Sequence, residues 1–236
     1  MRVSDDLINE LGRLPTQTII DALWVQGWPQ SMIHGSRAIF KNRKMVGRAV
    51  TLRFVYHRPD ILEDKPDGVN SPEYVAFELC GPSEVLVVSS VGCWESIGGD
   101  IKFMRLMQRK VAGLVTDGSV RDTDQLDNYG LPVYAYSSTA KQGPAVMLPW
   151  GVNEVISCGG IVVRPGDIIV GDNDGVVCVP SSMAEKVVKI GTEREKIETV
   201  IKMELEKTPQ SPGRYYPFND ETERLFMTYK KTKTID

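Results

Sequence analysis

Apolar residues at helical spacing and short apolar runs divide the chain into predicted helices and strands. Helical spacing predicts helices at 16–24, 74–79, 101–111 and 123–129, and from Met183 to about Glu206. Apolar runs between turn residues predict strands at 46–56, 84–90, 112–116, 131–136, 161–164, 167–170 and 176–179. Strands and helices alternate from residue 84 to residue 136, and this order favours neighbouring parallel strands with crossover helices.

Turn residues in the last third of the chain predict antiparallel hairpins. Pro165-Gly166 and Asn173-Asp-Gly175 separate the last three predicted strands, and both are typical of hairpin turns. The segment Asp172–Gly175 is similar to part of a calcium loop, but the distal glutamate of that motif is missing, so a hairpin turn is favoured. The pattern predicts an α/β fold with a mixed β core, an N-terminal helix and a long C-terminal helix followed by a tail.

Length and composition suit one globular domain. The chain has 236 residues, of which 42% are hydrophobic and 25% charged. We predict an α/β domain over residues 1–208 and a C-terminal extension over 209–236, which packs on the domain or on a neighbouring subunit. A net charge of −3 offers no broad cationic surface, and this argues against nucleic-acid binding through phosphate neutralisation.

Cysteine usage and hydropathy predict a cytoplasmic protein. Cys80, Cys93, Cys158 and Cys178 form no Cys-x-x-Cys pair, a pattern that favours buried thiols in a reducing compartment over disulfides or zinc ligands. The N-terminal residues lack the apolar core of a signal peptide, and no apolar stretch is long enough to span a bilayer. We therefore expect no membrane partner.

One candidate loop, Gly98-Gly-Asp100, stands directly before the predicted helix at 101–111. Gly99 lets a ligand approach the unpaired backbone N–H groups at the start of that helix, and such groups suit a carboxylate. The Asp100 side chain can hold a water molecule that is bound to a metal ion. This loop supplies one half of a candidate site.

A second candidate loop runs from Asp117 to Asp122 and follows the predicted strand at 112–116. Its Asp-Gly start lets the backbone turn, so that Arg121 and Asp122 place a guanidinium and a carboxylate on one turn. A divalent metal and an anionic substrate can meet there, because Mg²⁺ needs only one or two protein carboxylates. The two loops face each other if the strands before them are neighbours.

Each of these pieces also occurs in proteins for purely structural reasons. Gly-Gly-Asp is common as a loop with a helix cap, Asp-Gly as a turn and Arg-Asp as a solvated pair, so the ordered spacing is what favours a site. His34 and His57 have no partner at metal-ligand spacing, which argues against a histidine-centred triad. The absence of a glycine-rich strand-to-helix fingerprint argues against methyl transfer with a bound nucleotide cofactor.

Six segments of the chain, in this order and spacing, resemble the RraA-like family. They are Thr18-Ile-Ile-Asp21-Ala-Leu, Val46-Gly-Arg-Ala-Val-Thr51, Gly98-Gly-Asp100, Gly113-Leu-Val-Thr-Asp-Gly-Ser-Val-Arg-Asp122, Val163-Arg-Pro-Gly-Asp167 and Asp172-Asn-Asp-Gly-Val-Val177. The resemblance extends from about Leu14 to Glu206. The family includes metal-dependent 4-hydroxy-4-methyl-2-oxoglutarate/4-carboxy-4-hydroxy-2-oxoadipate aldolases, which are class II pyruvate aldolases, and the regulator of ribonuclease activity A.

The resemblance to the aldolase branch implies roles for five residues. The aspartate that matches Asp122 binds Mg²⁺ or Mn²⁺, and the arginine that matches Arg121 contacts the pyruvyl oxygens. The aspartate that matches Asp100 holds a metal-bound water. Backbone amides that match Ile101 and Lys102 receive the pyruvate carboxylate.

The resemblance also implies an assembly and a further acid. The family fold is of the swivelling α/β/β type, and it forms homotrimers or homohexamers with sites at subunit interfaces. A glutamate from the C-terminal helix of an adjacent subunit lies near the metal. The register in this chain leaves two candidates, and we choose Glu198 over Glu195.

These features favour a divalent-metal-dependent lyase over a regulator. The chain keeps Asp100, Arg121 and Asp122 together, whereas the regulators are shorter and tend to lack the full acidic set. We expect cleavage of a 4-hydroxy-2-oxo acid to pyruvate and a carbonyl product, or decarboxylation of oxaloacetate, with the enolate charge facing the metal and Arg121. Loops such as 58–71 are expected to contact the substrate beyond C4.

Two alternatives stay open at this point. Lys102 is close enough in sequence to keep a Schiff-base mechanism under consideration, although the metal mechanism requires none. The second alternative is a non-catalytic regulator of the RraA type, which binds a ribonuclease or an RNA helicase through its oligomeric surface.

Overall fold

The structure is a computed structural model that describes residues 3–232. The chain forms two compact units that divide between Val188 and Lys189. The helices of the first unit are α1 Asp5–Arg13, α2 Thr16–Trp24, α3 Pro72–Leu79, α4 Asp100–Gln108 and α5 Thr123–Asn128. Its strands are β1 Arg37–Ala38, β2 Met45–Tyr56, β3 Glu84–Ser89, β4 Gly113–Thr116, β5 Val133–Ala135, β6 Met147–Val152, β7 Ile156–Cys158, β8 Ile161–Val163, β9 Ile168–Gly171 and β10 Val176–Val179.

A mixed β sheet forms the centre of the first unit. Its strands follow the order β1-β5-β4-β3-β2-β9-β10, and β6 pairs with the second half of β2. Strands β2, β3, β4 and β5 are parallel, while β1, β6, β9 and β10 pair antiparallel with their neighbours. The predicted crossover layer and meander are therefore joined in one sheet, and the predicted α/β fold with a mixed β core is confirmed.

The parallel strands are buried on both faces, as their continuous apolar sequences predict. In β3, Leu86 and Val88 belong to one core, whereas Val85 and Val87 belong to a second core on the opposite face. The first core contains Phe77 of α3 together with residues of α4 and α5. The second core contains residues of β7, β8, β9 and β10.

Truncation of the fully buried Leu86 is expected to destabilise the fold strongly. We predict that Leu86→Ala lowers the free energy of unfolding by about 2–5 kcal/mol, because it removes apolar contacts and leaves a cavity. Leu79→Ala is the matched control, since the side chain of Leu79 lies at the end of α3 and is 49% exposed. Urea unfolding checks both variants, and equal losses in the two would contradict this description of the core.

One predicted hairpin is wrong. The strand predicted at 161–164 does not pair with the strand predicted at 167–170, because β8 pairs antiparallel with β7 in a separate two-stranded sheet. The carboxylate of Asp167 accepts hydrogen bonds from the backbone N–H groups of Arg164 and Ser181, so the Pro165-Gly166 turn leads from one sheet to the other. The other predicted hairpin, β9 with β10, is confirmed.

The second unit contains most of helix α6 Ala184–Lys207 and helix α7 Asp220–Thr232. The long predicted helix is confirmed, whereas α7 lies in the segment for which the sequence predicts only a C-terminal extension. Tyr215 and Phe226 are buried. The domain boundary at 208/209 stays a prediction, and residues 233–236 of the predicted extension lie outside the described residues.

The sequence predicts buried thiols rather than disulfides, and no segment that spans a membrane. Cys80, Cys158 and Cys178 are buried and Cys93 is partly exposed, and all four are free thiols. Burial raises the pKa of the Cys80 thiol to about 12, which makes it unreactive at neutral pH. Among residues 3–232, no helix is long and apolar enough to cross a membrane.

Candidate functional site

The two candidate loops lie side by side at one edge of the sheet. They follow β3 and β4, which are parallel neighbours, so both leave the sheet at the carboxyl ends of their strands. Backbone hydrogen bonds join the loops directly. The N–H of Ile97 donates to the carbonyl of Ser119 at 2.9 Å, and the N–H of Arg121 donates to the carbonyl of Gly98 at 3.1 Å. The predicted convergence of the two loops is confirmed.

Asp117, at the start of the second loop, has a structural role. Its carboxylate accepts hydrogen bonds from the backbone N–H of Ser90 at 2.8 Å and from that of Gly159 at 3.0 Å. Burial raises the pKa of this carboxyl group, and the two hydrogen bonds oppose that rise. Asp117 therefore fastens the ends of β3 and β4 to the turn between β7 and β8.

Gly99 packs tightly against the side chains of the second loop. The N–H of Asp100 donates to Oδ2 of Asp122 at 3.1 Å, which brings the backbone of the first loop against the side chains of the second. A Cβ atom at Gly99 would overlap Oδ2 of Asp122 and would stand 2.8 Å from Cγ of Arg121. The backbone of Gly99 is extended, so this position needs glycine for space rather than for its conformational freedom.

Arg121 and Asp122 present their charged groups at the surface of the site. Their side chains are 46% and 41% exposed, and Nε of Arg121 lies 3.6 Å from Oδ2 of Asp122. Asp122 has a left-handed backbone with φ of 59°, a conformation that Asp and Asn tolerate better than other non-glycine residues. Within the described chain, Oδ1 of Asp122 accepts no hydrogen bond and is open to a cation.

Asp100 is oriented by a residue that sequence reasoning missed. The hydroxyl of Tyr129, at the end of α5, donates a hydrogen bond to Oδ1 of Asp100. This hydrogen bond raises the pKa of Tyr129, so the phenol stays a protonated donor at neutral pH. Within residues 3–232, Oδ2 of Asp100 has no such partner.

The start of helix α4 supplies backbone donors. Nothing in the described chain accepts a hydrogen bond from the N–H of Ile101 or of Lys102. These groups stand at the positive end of the helix dipole, which favours a bound carboxylate. The Lys102 amine takes no part in this arrangement, because its Nζ donates to Oε2 of Glu73 at 2.6 Å.

A cavity of about 260 Å³ joins the predicted residues. The structure brings to its wall all the site residues that the sequence places in the first unit, namely Gly99, Asp100, Ile101, Lys102, Arg121 and Asp122. Tyr74 and Gln142 also line this cavity, and no motif marks them in the sequence. Glu198 lies in α6, in the second unit, and its contribution to the site of an adjacent subunit stays a prediction.

The donor set fits a hydrated Mg²⁺ or Mn²⁺ ion. Oδ1 of Asp122 and Oδ2 of Asp100 are the open carboxylate oxygens, and Mg²⁺ is usually held by one or two carboxylates with the remaining ligands from water or substrate. In the part of the chain that the structure describes, no three His, Cys, Asp or Glu residues form a group that could hold a metal. The site therefore does not fit structural zinc, which takes four protein ligands.

Comparison with known proteins gives a family match and similarities along most of the chain. The family model described as RraA-like, aldolase/RraA, matches residues 16–178. A protein of Halalkalibacterium halodurans, provisionally named 4-hydroxy-4-methyl-2-oxoglutarate aldolase, is 29% identical over 185 residues, which are 78% of this chain and 81% of the relative.

Two solved structures are similar along most of the chain. Streptomyces coelicolor RraAS2, described as an unusual member of the RNase ES inhibitor RraA protein family, has a TM-score of 0.78 at 28% identity, covering 86% of this chain and 100% of its own. An uncharacterized protein from Pseudomonas syringae pv. tomato has a TM-score of 0.77 at 23% identity, covering 97% of this chain and 96% of its own. The second similarity shows the fold alone.

Proposed function

The chain belongs to the RraA-like family, and on that premise we propose that it is a divalent-metal-dependent lyase. Its substrate is a 4-hydroxy-2-oxo acid, which it cleaves to pyruvate and a carbonyl product, and it also decarboxylates oxaloacetate. The observation that carries the proposal is the cavity in which Asp122, Asp100, Arg121 and the open amides of α4 meet. The aldolase name of the Halalkalibacterium relative supports the same reaction class.

Backbone and guanidinium groups bind the 2-oxo acid in this proposal. The N–H groups of Ile101 and Lys102 receive the C1 carboxylate at the start of α4. The exposed guanidinium of Arg121 lies on the opposite loop and donates to the 2-keto oxygen, where negative charge develops as the carbon–carbon bond breaks. The hydrogen bonds between the loops hold the backbone of Arg121 beside Gly98, just before α4, so the two loops that carry these donors keep their relative position during the reaction.

Asp122 and Asp100 would hold the metal ion. Asp122 would provide its open Oδ1 directly, and Asp100 would provide Oδ2 through a water molecule. When bound, the ion supplies Lewis acidity, which polarises the 2-keto group and stabilises the enolate that cleavage produces. In this proposal Oδ2 of Asp100 also takes the proton of the 4-hydroxyl through one water and returns it to C3 of the enolate, which completes pyruvate.

Tyr129 is a positioning residue in this scheme, because it acts through the orientation of Asp100. We expect Tyr129→Phe to lower kcat about tenfold with KM nearly unchanged, since the variant keeps the ring and loses only the hydroxyl. Tyr136→Phe is the control, because Tyr136 packs edge-on against Trp94 and lies outside the site cavity. Steady-state kinetics at several pH values check the pair, and equal kcat values in the two variants would contradict this role.

Metal removal tests the proposed function itself. We expect a chelator to abolish pyruvate release from 4-hydroxy-2-oxo acids and added Mg²⁺ or Mn²⁺ to restore it. Borohydride treatment with pyruvate is the parallel arm, and it should leave no covalent adduct, because the Lys102 amine is engaged with Glu73. Turnover that survives chelation, or an adduct at Lys102, would contradict the metal mechanism.

We further propose that the chain assembles as a homotrimer or homohexamer with its sites at subunit interfaces. Glu198 of an adjacent subunit then assists proton transfer near the metal, and Glu195 does not.

A second candidate function is binding and inhibition of a ribonuclease, and it is favoured by similarity to the whole length of RraAS2. That function does not need Asp122. If the wild-type chain has no lyase activity, and if both it and Asp122→Asn inhibit a ribonuclease, the second function is supported instead.

A further inference from the structure

A second cavity lies directly beside the site cavity. Its volume is about 140 Å³, and it shares Ser96, Ile97, Lys102 and Pro144 with the larger cavity. Lys102 lines both cavities. Its backbone N–H stands at the start of α4, and its Nζ contacts Glu73, which lines the second cavity. A substrate that fills the first cavity therefore has an adjoining space for its remaining atoms.

The charged groups of this second cavity are already paired. Nζ of Lys102 donates to Oε2 of Glu73 at 2.6 Å, and the side chain of Glu73 is only 10% exposed. Nζ of Lys65 donates to Oδ1 of Asp67 at 2.8 Å and to the carbonyl of Pro66 at 3.0 Å. Both ammonium groups thus have carboxylate partners. Oε1 of Glu73 accepts no hydrogen bond from the described chain, although Glu73 lines the cavity.

This arrangement penalises a second carboxylate on the substrate. A carboxylate here could accept from a remaining N–H of Lys102, but it could not donate to Oε1 of Glu73. Two carboxylates would then lie side by side around an ammonium that Glu73 already neutralises, and like charges in contact are unfavourable away from water. A hydroxyl group finds both of its partners, because it can donate to Oε1 of Glu73 and accept from a remaining N–H of Lys102. Phe54 and Met147 provide an apolar surface for a carbon chain.

We propose that the second cavity selects substrates with a neutral, hydroxylated tail beyond C4 over substrates with a carboxylate there. The selection rests on the proposed lyase function and narrows its substrate class. Lys65 and Ser71 come from the loop that we expect to contact this part of the substrate, and both line the cavity. The name of the Halalkalibacterium relative contains 4-hydroxy-4-methyl-2-oxoglutarate, which carries a second carboxylate. The substrate class proposed for this chain differs from that compound at this group.

Three compounds that differ only at C5 test this selection. They are 4,5-dihydroxy-2-oxopentanoate, 4-hydroxy-2-oxopentanedioate and 4-hydroxy-2-oxopentanoate, which carry a hydroxymethyl, a carboxylate and a methyl group beyond C4. We expect kcat/KM for pyruvate release with Mg²⁺ to be about tenfold or more higher for the hydroxymethyl compound than for either of the others.

Glu73→Gln then identifies the residue responsible. The variant removes the repelling charge and leaves the Lys102 ammonium without its carboxylate partner, so kcat/KM for the carboxylate compound should rise about tenfold and its disadvantage should shrink or reverse. Glu78→Gln is the matched control on the same helix, because Glu78 pairs with Arg105 and its side chain is 51% exposed. The control should keep the wild-type preference.

The outcomes separate the two proposals. Pyruvate release from none of the three compounds would overturn the lyase function together with this selection. Release with a preference for the carboxylate compound, or with equal rates, would overturn the selection alone and leave the lyase function standing. If Glu73→Gln does not fold, the wild-type preference among the three compounds decides the question without it.

Discussion

Asp122→Asn is expected to abolish pyruvate release, with kcat/KM about 10³-fold lower than in the wild-type chain. The variant keeps the size of the side chain and an oxygen that can accept the N–H of Asp100. Asparagine also tolerates the left-handed backbone at this position. The loss should therefore come from the missing negative charge at the open Oδ1, which is the direct protein ligand that we propose for the metal.

The control for this prediction is Asp124→Asn. Asp124 is an exposed carboxylate two residues further along, in the first turn of α5, and it does not line the site cavity. Its variant should retain wild-type activity and fold. Activity and thermal unfolding are measured side by side at saturating Mg²⁺. An Asp122→Asn protein that folds and turns over at the wild-type rate would contradict the role of Asp122.

Gly99→Ala is expected to lower kcat/KM by about 10²-fold while leaving the fold intact. The added methyl group would overlap Oδ2 of Asp122 and press on Cγ of Arg121, so both side chains would have to move aside. Arg121 and Asp122 are both exposed, and Gly99 has an extended backbone that alanine adopts without strain. The displacement therefore costs little stability and misplaces the guanidinium and the carboxylate together.

Gly92→Ala serves as the matched control for Gly99→Ala. Gly92 lies in the same connection after β3, and a Cβ atom there would have its nearest neighbour, Cγ of Glu95, at an ordinary 3.4 Å. Kinetics and urea unfolding of both variants check the prediction. Wild-type activity in Gly99→Ala would show that close contact between the loops is not needed, and unfolding of that variant alone would indicate a structural role instead.

The elements that position the site could be predicted because the signals are local. The apolar runs of β3 and β4 and the helical spacing of α4 identify a crossover unit, and the connection rules then place both loops at one edge of the sheet. The order of these elements is enough to predict that Asp100, Arg121 and Asp122 lie at the same edge of the sheet. The backbone hydrogen bonds between the loops agree with it in detail.

The remaining parts depend on partners that are distant in sequence. Nothing local indicates that Tyr129 donates to Asp100 across 29 positions. The pairing of Lys102 with Glu73 is of the same kind, since only packing of α3 beside α4 brings the two side chains together.

The missed pairing of β7 with β8 is different, because Gly159-Gly160, both with positive φ, form a two-residue hairpin turn that is visible in the sequence. Helix α1 is absent from the predicted helices although its signal is local, because Ser4 is a typical N-cap residue and its side chain accepts a hydrogen bond from the N–H of Leu7.

Titration with Mn²⁺, followed by electron paramagnetic resonance, tests most directly the claim that the two loops hold one cation beside Arg121. The wild-type chain and Asp124→Asn should each bind one Mn²⁺ per chain more tightly in the presence of oxalate, which mimics the pyruvate enolate. Asp122→Asn should bind neither Mn²⁺ nor oxalate at the same concentrations. Binding of Mn²⁺ by Asp122→Asn with wild-type affinity would contradict the account.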